Sequence, residues 1–227
     1  MTPAMDSNQK NKDQMGSNEA EIYVFDFDGT ITTHDTFALF LRYYAGPVRW
    51  AIKITQLLPT FISYKLGRID RHAVKKAVIN QFFAGELLAD VESRAEQFAA
   101  EVIPGLIRPA AQNRIDELLN SPECGAESLY ICSASISPYL KRWASSAGIH
   151  EKNVMSTELA VADNRIAEGL SGYNVWGSNK VRRIFDQFAP HSVQIAEAYG
   201  DTRGDREMLH AAKASYFKPF RVTPISD

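Results

Sequence analysis

Asp26 and Asp28 stand two residues apart at the end of an apolar run, residues 22–25 (IYVF), and Gly29 follows them directly. The β-branched and aromatic content of that run predicts a short buried strand. Side chains alternate along a strand, so the two carboxylates share one face and Phe27 takes the other. Like charges side by side repel, and burial adds a desolvation cost. Such a pair is tolerated when a cation sits beside it or when one carboxyl keeps its proton. Either condition suggests chemistry.

Other polar residues stand at comparable places. Ser133 follows a second apolar strand, 128–132, and Asp201 follows a strand at 192–199 with Asp205 four residues beyond. Lys180 lies in the first turn of a helix over 178–188 that Ser178 can cap. Helices are also expected at 109–119, 138–147 and 205–212. A third strand at 154–156, a hairpin at 157–162 and 165–170 about Asp163-Asn164, and a last strand at 215–218 complete the pattern. Strands alternating with helices imply an α/β fold with a mainly parallel sheet covered on both faces. Ligands bind such sheets outside the carboxyl ends of the strands, so these scattered groups can meet there. Four carboxylates are untenable together without cations; one divalent ion and Lys180 would offset about three charges. An all-oxygen carboxylate set suits Mg²⁺ rather than zinc. A cation, a lysine and a hydroxyl beside a carboxylate nucleophile are the parts of a phosphoryl-transfer site.

The 227 residues are 45% hydrophobic and 23% charged, which is ordinary for a soluble globular chain, and a formal net charge of −2 offers no global field for nucleic acid. Cys124 and Cys132 have no metal-like spacing, and so sparse a cysteine content fits a reduced, cytoplasmic setting. Residues 1–20 are polar, lack the apolar stretch of a signal peptide and are expected to form a disordered tail. Residues 35–105 hold only helical patterns: 35–44 with Asp35 as N-cap, 48–66, 70–83 and 86–103. They are read as a helical cap inserted between the core segments 21–34 and 106–227. Within it, 48–66 (VRWAIKITQLLPTFISYKL) is unusually apolar and carries Pro59, which would kink a helix. It is too short between charges to span a bilayer. Two readings stand: a helix packed under the lid, or an interfacial helix whose basic residues meet lipid phosphates as a peripheral membrane contact.

DFDGTIT, the serine of ICSAS, Lys180 in GSNKVRRI and then GDTRGDREML resemble, in order, the four motifs of the haloacid dehalogenase superfamily. The likeness runs from about residue 21 to 218. It implies a Rossmannoid core, and the helical insertion is similar to that of subfamily IB, which includes the phosphoserine phosphatases. The apolar cap helix is similar to that of phosphatidylglycerophosphatase C-like members. By resemblance, Asp26 is the nucleophile that forms an aspartyl-phosphate and Asp28 the general acid and base. Mg²⁺ would be held by the carboxylate of Asp26, the backbone carbonyl of Asp28 and Asp201, with Asp205 in support. Ser133, the amide of Ala134 and Lys180 would bind the phosphoryl group. The dehalogenating branch lacks an aspartate at the position of Asp28, which favours phosphate chemistry.

For the substrate, the phosphoserine phosphatases place a cap glutamate and a cap arginine against phosphoserine. Asp35 falls near the first position and only Lys75 and Lys76 near the second, and a lysine cannot reproduce the bidentate grip of arginine. The expectation is a phosphatase acting on a lipid phosphate, such as phosphatidylglycerophosphate, or on a small phosphorylated metabolite. Phosphoserine is the alternative, and a phosphotransferase or a non-catalytic phosphate-binding protein are those of another class.

Overall fold

The computed structural model describes residues 20–221. The stretch expected as a disordered tail lies outside the described residues, save Ala20. Strand β1 (Ala20–Phe25) runs through the middle of a six-stranded sheet ordered β4-β3-β2-β1-β5-β6. It pairs in parallel with β2 (Leu129–Ile136) on one side and β5 (Val193–Gly200) on the other. Both Ile131 and Tyr199 lie in register with Phe25. The chain therefore leaves β1 to opposite sides, and the crevice at its carboxyl end is the switch point where open α/β sheets bind ligands. β3 (Val154–Ala162) and β6 (Ala212–Phe217) extend the sheet in parallel; only β4 (Arg165–Ser171) is antiparallel. Its turn rests on Asp163 and Asn164, both left-handed at φ 50° and 59°, the conformation that tight hairpins require.

Alternation along β1 divides the core. Ile22 and Val24 pack with Cys132, Ile195 and Met208 under α7 (Ser178–Phe188) and α8 (Arg206–His210). Phe25 joins Ile131, Tyr139 and Trp143 on the other face, beneath α5 (Pro109–Leu119) and α6 (Ser137–Ser146). This second layer continues into the inserted helices through Phe40, Phe83 and Phe98. The Tyr139 ring stands 5.1 Å from Phe40 and 5.3 Å from Phe98, centroid to centroid.

The insertion holds α1 (Thr36–Gln56), α2 (Leu58–Lys65), α3 (Arg71–Phe83) and α4 (Leu88–Glu101). Asp35 caps α1 by accepting from the Ala38 amide, and Asp70 caps α3 by accepting from Ala73. Gly46, at φ 73° and ψ 163°, breaks the helix between the stretches expected at 35–44 and 48–66, so α1 is two helical segments joined across a kink. Pro47 opens the second half, where a missing N–H costs little. The expected kink at Pro59 falls instead at Leu57, which leaves Pro59 in the first turn of α2. In the core, β2 runs on past Cys132 to Ile136, where it meets Thr157 after a shift of register. The expected strand at 154–156 and the first hairpin strand are one strand, β3. The cap also rests on the hairpin: Leu87 bridges Arg165, and the Asn80 carbonyl oxygen accepts from the Gly169 amide at 2.7 Å.

Candidate active site

Beyond β1 the chain turns sharply through residues 27–31, with Gly29 at φ 81°. A Cβ on Gly29 would stand 2.5 Å from Asp201 Oδ2. The glycine thus lets this turn and the β5 terminus close on each other. Gly29→Ala combines left-handed strain with that overlap. It is expected to cost on the order of 1–3 kcal/mol and to lower turnover at least about tenfold, as read by urea unfolding and an aryl-phosphate assay.

Asp26 is 6% exposed, and Oδ1 accepts from the Lys180 ammonium at 2.5 Å. The same ammonium donates to Asp205 Oδ1 at 2.6 Å. Lys180 is 1% exposed. Burial disfavours its charge, yet Asp26 and Asp205 hold its pKa above the usual lysine value. The two acids respond differently. Burial pushes Asp26 up to about 7 despite Lys180, helped by the charges of Asp205 and Asp28. Burial acts on Asp205 too, but Lys180 and the hydrogen bonds from Thr202 hold it below the ordinary aspartate range. Asp205 Oδ2 accepts from the Thr202 amide and hydroxyl, both at 2.8 Å, so this carboxylate is saturated. Asp201 accepts from Arg221 at 2.9 Å and from Thr30 at 3.4 Å, and burial with the nearby Asp205 raises its pKa.

Carboxylate oxygens of Asp26, Asp201 and Asp205 lie within 4.8 Å of one another. With Asp28 alongside, four carboxyl groups face two cations in direct contact among the described residues, Lys180 and Arg221. Burial is the chief cause of the upward shift of Asp26 and Asp201, with the neighbouring carboxylates adding to it, and the donors on offer are all oxygens. These residues therefore fit a hard divalent cation.

Asp28 sits on the other side of the turn, against the cap. Oδ1 accepts from the Thr36 amide at 2.6 Å and its hydroxyl at 2.5 Å, and Oδ2 accepts from Ser135. With its own proton given to Asp28, Thr36 Oγ1 can accept from the buried Tyr139 hydroxyl, 3.1 Å away. Burial and the charge of Asp35 raise the Asp28 pKa. Burial raises both carboxyls of the pair, but only Asp26 is gripped by a lysine, while Asp28 is held by Thr36 and Ser135.

The four carboxyl groups, Lys180, Thr202 and Ser135 border one cavity of about 560 Å³. Asp26, Asp28, Ser133, Ala134, Lys180, Asp201 and Asp205 lie at its floor, with Asp35 and Lys75 on the cap wall. The Lys75 ammonium lies 3.2 Å from the Phe37 ring centroid, and burial pushes its pKa down to about 8. Lys76 is not at the cavity: its aliphatic chain runs beside Gly169 of β4. Thr36, Ser135, Arg71 and Trp176 were not anticipated. Ser135 repeats the two-residue spacing of Ser133, which could have marked it. Arg71 stacks over Trp176 at 4.6 Å, joining the first turn of α3 to the loop before α7. Spacing from the first motif could not find that pair.

The sequence pattern of the haloacid dehalogenase-like hydrolases matches residues 23–210, from β1 through α8. The chain belongs to this family. Protein CicA of Caulobacter vibrioides is 35% identical to it over 212 residues, covering 93% of this chain and 91% of that protein. Among solved structures, a protein of unknown function from Bordetella pertussis Tohama I superposes with a TM-score of 0.72 at 16% identity, over 87% of this chain and 89% of that one. A substrate-bound phosphoserine phosphatase gives 0.55 at 17% identity, over 87% and 84%. At such identities the two structures speak for the haloacid dehalogenase-like fold.

Proposed function

We propose that this hydrolase is a Mg²⁺-dependent phosphatase that cleaves a phosphomonoester through an aspartyl-phosphate on Asp26, with the helices of residues 35–105 as its cap. The observation that carries this reading is the asymmetry of the carboxyl pair: Asp26 bound to a buried lysine, Asp28 buried, raised in pKa and hydrogen-bonded by Thr36 and Ser135. An Asp26 carboxylate oxygen attacks phosphorus as the bond to the ester oxygen breaks, and Asp28 passes its proton to that oxygen. Asp28, now ionised, takes a proton from the water that attacks phosphorus and frees Asp26. Lys180 holds Asp26 in place and offsets charge gathering on the phosphoryl oxygens. Ser133 and the amide of Ala134 border the same floor and are its further donors. Asp26, the backbone carbonyl of Asp28 and Asp201 would hold Mg²⁺, with Asp205 in support. When bound, the ion supplies positive charge to the phosphoryl oxygens.

Asp205 does its supporting work chiefly through Lys180, since hydrogen bonds from the protein already occupy both its oxygens. The cap wall is largely apolar, with Phe37, Leu41, Ile54, Phe61, Val74 and Val78 around Arg71 and Lys75. That wall supports a phosphate ester with an apolar leaving group, such as a lipid phosphate. Arg71 favours a second reading, an ester whose leaving group carries a carboxylate, as in phosphoserine. Comparing turnover of phosphoserine, sugar phosphates and phosphatidylglycerophosphate separates the two.

Aryl-phosphate turnover that needs Mg²⁺ and stops with chelator is the expected result; metal-independent turnover defeats the reading. Binding is also expected to appear without catalysis. At a Mg²⁺ concentration one hundred times its dissociation constant, stability rises by about 2.7 kcal/mol. The rise shrinks below pH 7, where Asp26 takes up a proton. Asp201→Asn should abolish the gain in a thermal melt.

A further inference from the structure

We propose that the outer face of α1 and α2 seats this protein on an anionic lipid bilayer. Val48 and Ile52 are 72% and 54% exposed, one turn apart on the second half of α1. Leu58, Ile62 and Leu66, at 49%, 57% and 61%, repeat that spacing along α2 and its C-cap. Side chains four residues apart share a helix face, so each helix carries an outward apolar stripe. α2 has no buried residue at all. Trp50, Ile54 and Phe61 face inward instead and pack on the core. The exposed side chains are therefore not part of what holds the cap together, and five large aliphatic groups along two consecutive helices are left facing outward.

Charge selects the occupant. Residues 36–69 hold five bases and no acid in a chain whose net charge is −2. Of these, Lys65 and Arg68 are exposed beside Leu66 at the end of the α2 stripe, while Arg49 borders a cleft with Glu86 and Asp90. An apolar stripe flanked by bases is the pattern of a helix that lies in the headgroup region of an anionic membrane. Among the described residues no helix is long and apolar enough to cross one, so the contact lies on the surface. The placement also bears on the cavity. Ile54 and Phe61 line the cavity from the same two helices whose outer sides carry the stripes, so the docked helices are also a wall of the cavity. The docking itself does not depend on the phosphatase reading, because its measurement involves no turnover.

The test is co-sedimentation of the full chain with phosphatidylcholine vesicles, with and without roughly one-third phosphatidylglycerol. Wild type should sediment with the anionic vesicles and be released by added salt. Ile52→Ser/Ile62→Ser/Leu66→Ser should weaken that partition at least about tenfold, and Lys65→Gln/Arg68→Gln about tenfold. These side chains are exposed and outside the cavity, so both variants should keep the wild-type melting transition and soluble aryl-phosphate turnover. Wild type that stays in the supernatant with both vesicles overturns the proposal. So does equal partition of wild type and the serine variant, or equal partition onto the two vesicles. Self-association in sedimentation velocity, abolished by the serine variant without any vesicle binding, overturns it in favour of a second copy of the chain.

Discussion

Asp26→Asn is expected to lower aryl-phosphate turnover by at least about 10⁴-fold while leaving the fold intact. Asparagine has nearly the same shape, and its amide oxygen can still accept from Lys180. What it loses is the anionic oxygen that forms the bond to phosphorus. Stability should hold, because the carboxylate it replaces is disfavoured by burial and raised to about 7. Lys180 keeps Asp205 as its counter-ion at 2.6 Å. Kinetics beside a urea titration checks both halves. Retained turnover would mean that Asp26 is not the nucleophile, while lost turnover with a lost fold would say nothing of the chemistry. Asp28→Asn serves as companion: it should spare the first attack on an activated aryl ester more than on a poor leaving group, since only the latter needs the proton.

Lys180→Met is expected to be among the most damaging single changes to the fold. The lysine is almost fully buried between two carboxylates, and methionine replaces its stem but not its charge. Removing one partner from a buried ion pair costs about 3–5 kcal/mol, because the remaining charges stay desolvated and unpaired. The pH dependence follows from the acids. Asp205 is held below the ordinary range, so its contribution is present at neutral pH and lost as pH falls through its folded value. In the variant both Asp26 and Asp205 lose their cation and take up protons at higher pH. The defect should therefore be large at pH 7.5 and shrink toward pH 5, measured by urea unfolding with chelator present. Adding Asp26→Asn to Lys180→Met should recover part of the loss, since it removes one unpaired carboxylate. A defect independent of pH would show that packing, not charge, is what Lys180 supplies.

Much of the cavity floor was legible because its charged residues and Ser133 end a strand or open a helix. Asp26, Ser133 and Asp201 follow apolar runs, and Lys180 begins an amphipathic one, so short-range pattern locates them. The mainly parallel sheet follows from the same alternation. Thr36, Ser135 and Arg71 carry no such mark. Thr36 is an ordinary first helical residue until Asp28 is beside it, and Ser135 reaches that carboxylate from another strand. The break at Gly46-Pro47 lies where the sequence puts it, while the bend expected at Pro59 falls two residues earlier, at Leu57, because proline is accommodated in the first turn of α2.

The order of the elements and the acids that end β1 and β5 are written in the sequence alone, since periodicity and residue chemistry act over a few positions. Only the tertiary structure decided that Lys180 joins Asp26 to Asp205, that Asp28 is held by Thr36 and Ser135, and that Arg71 rather than Lys76 reaches the cavity. It alone decided which side of the apolar 48–66 stretch faces the core and which faces outward. Burial and ion pairing bring together residues as far apart as Lys180 and Asp26, 154 positions, and no local pattern encodes a partner at that distance.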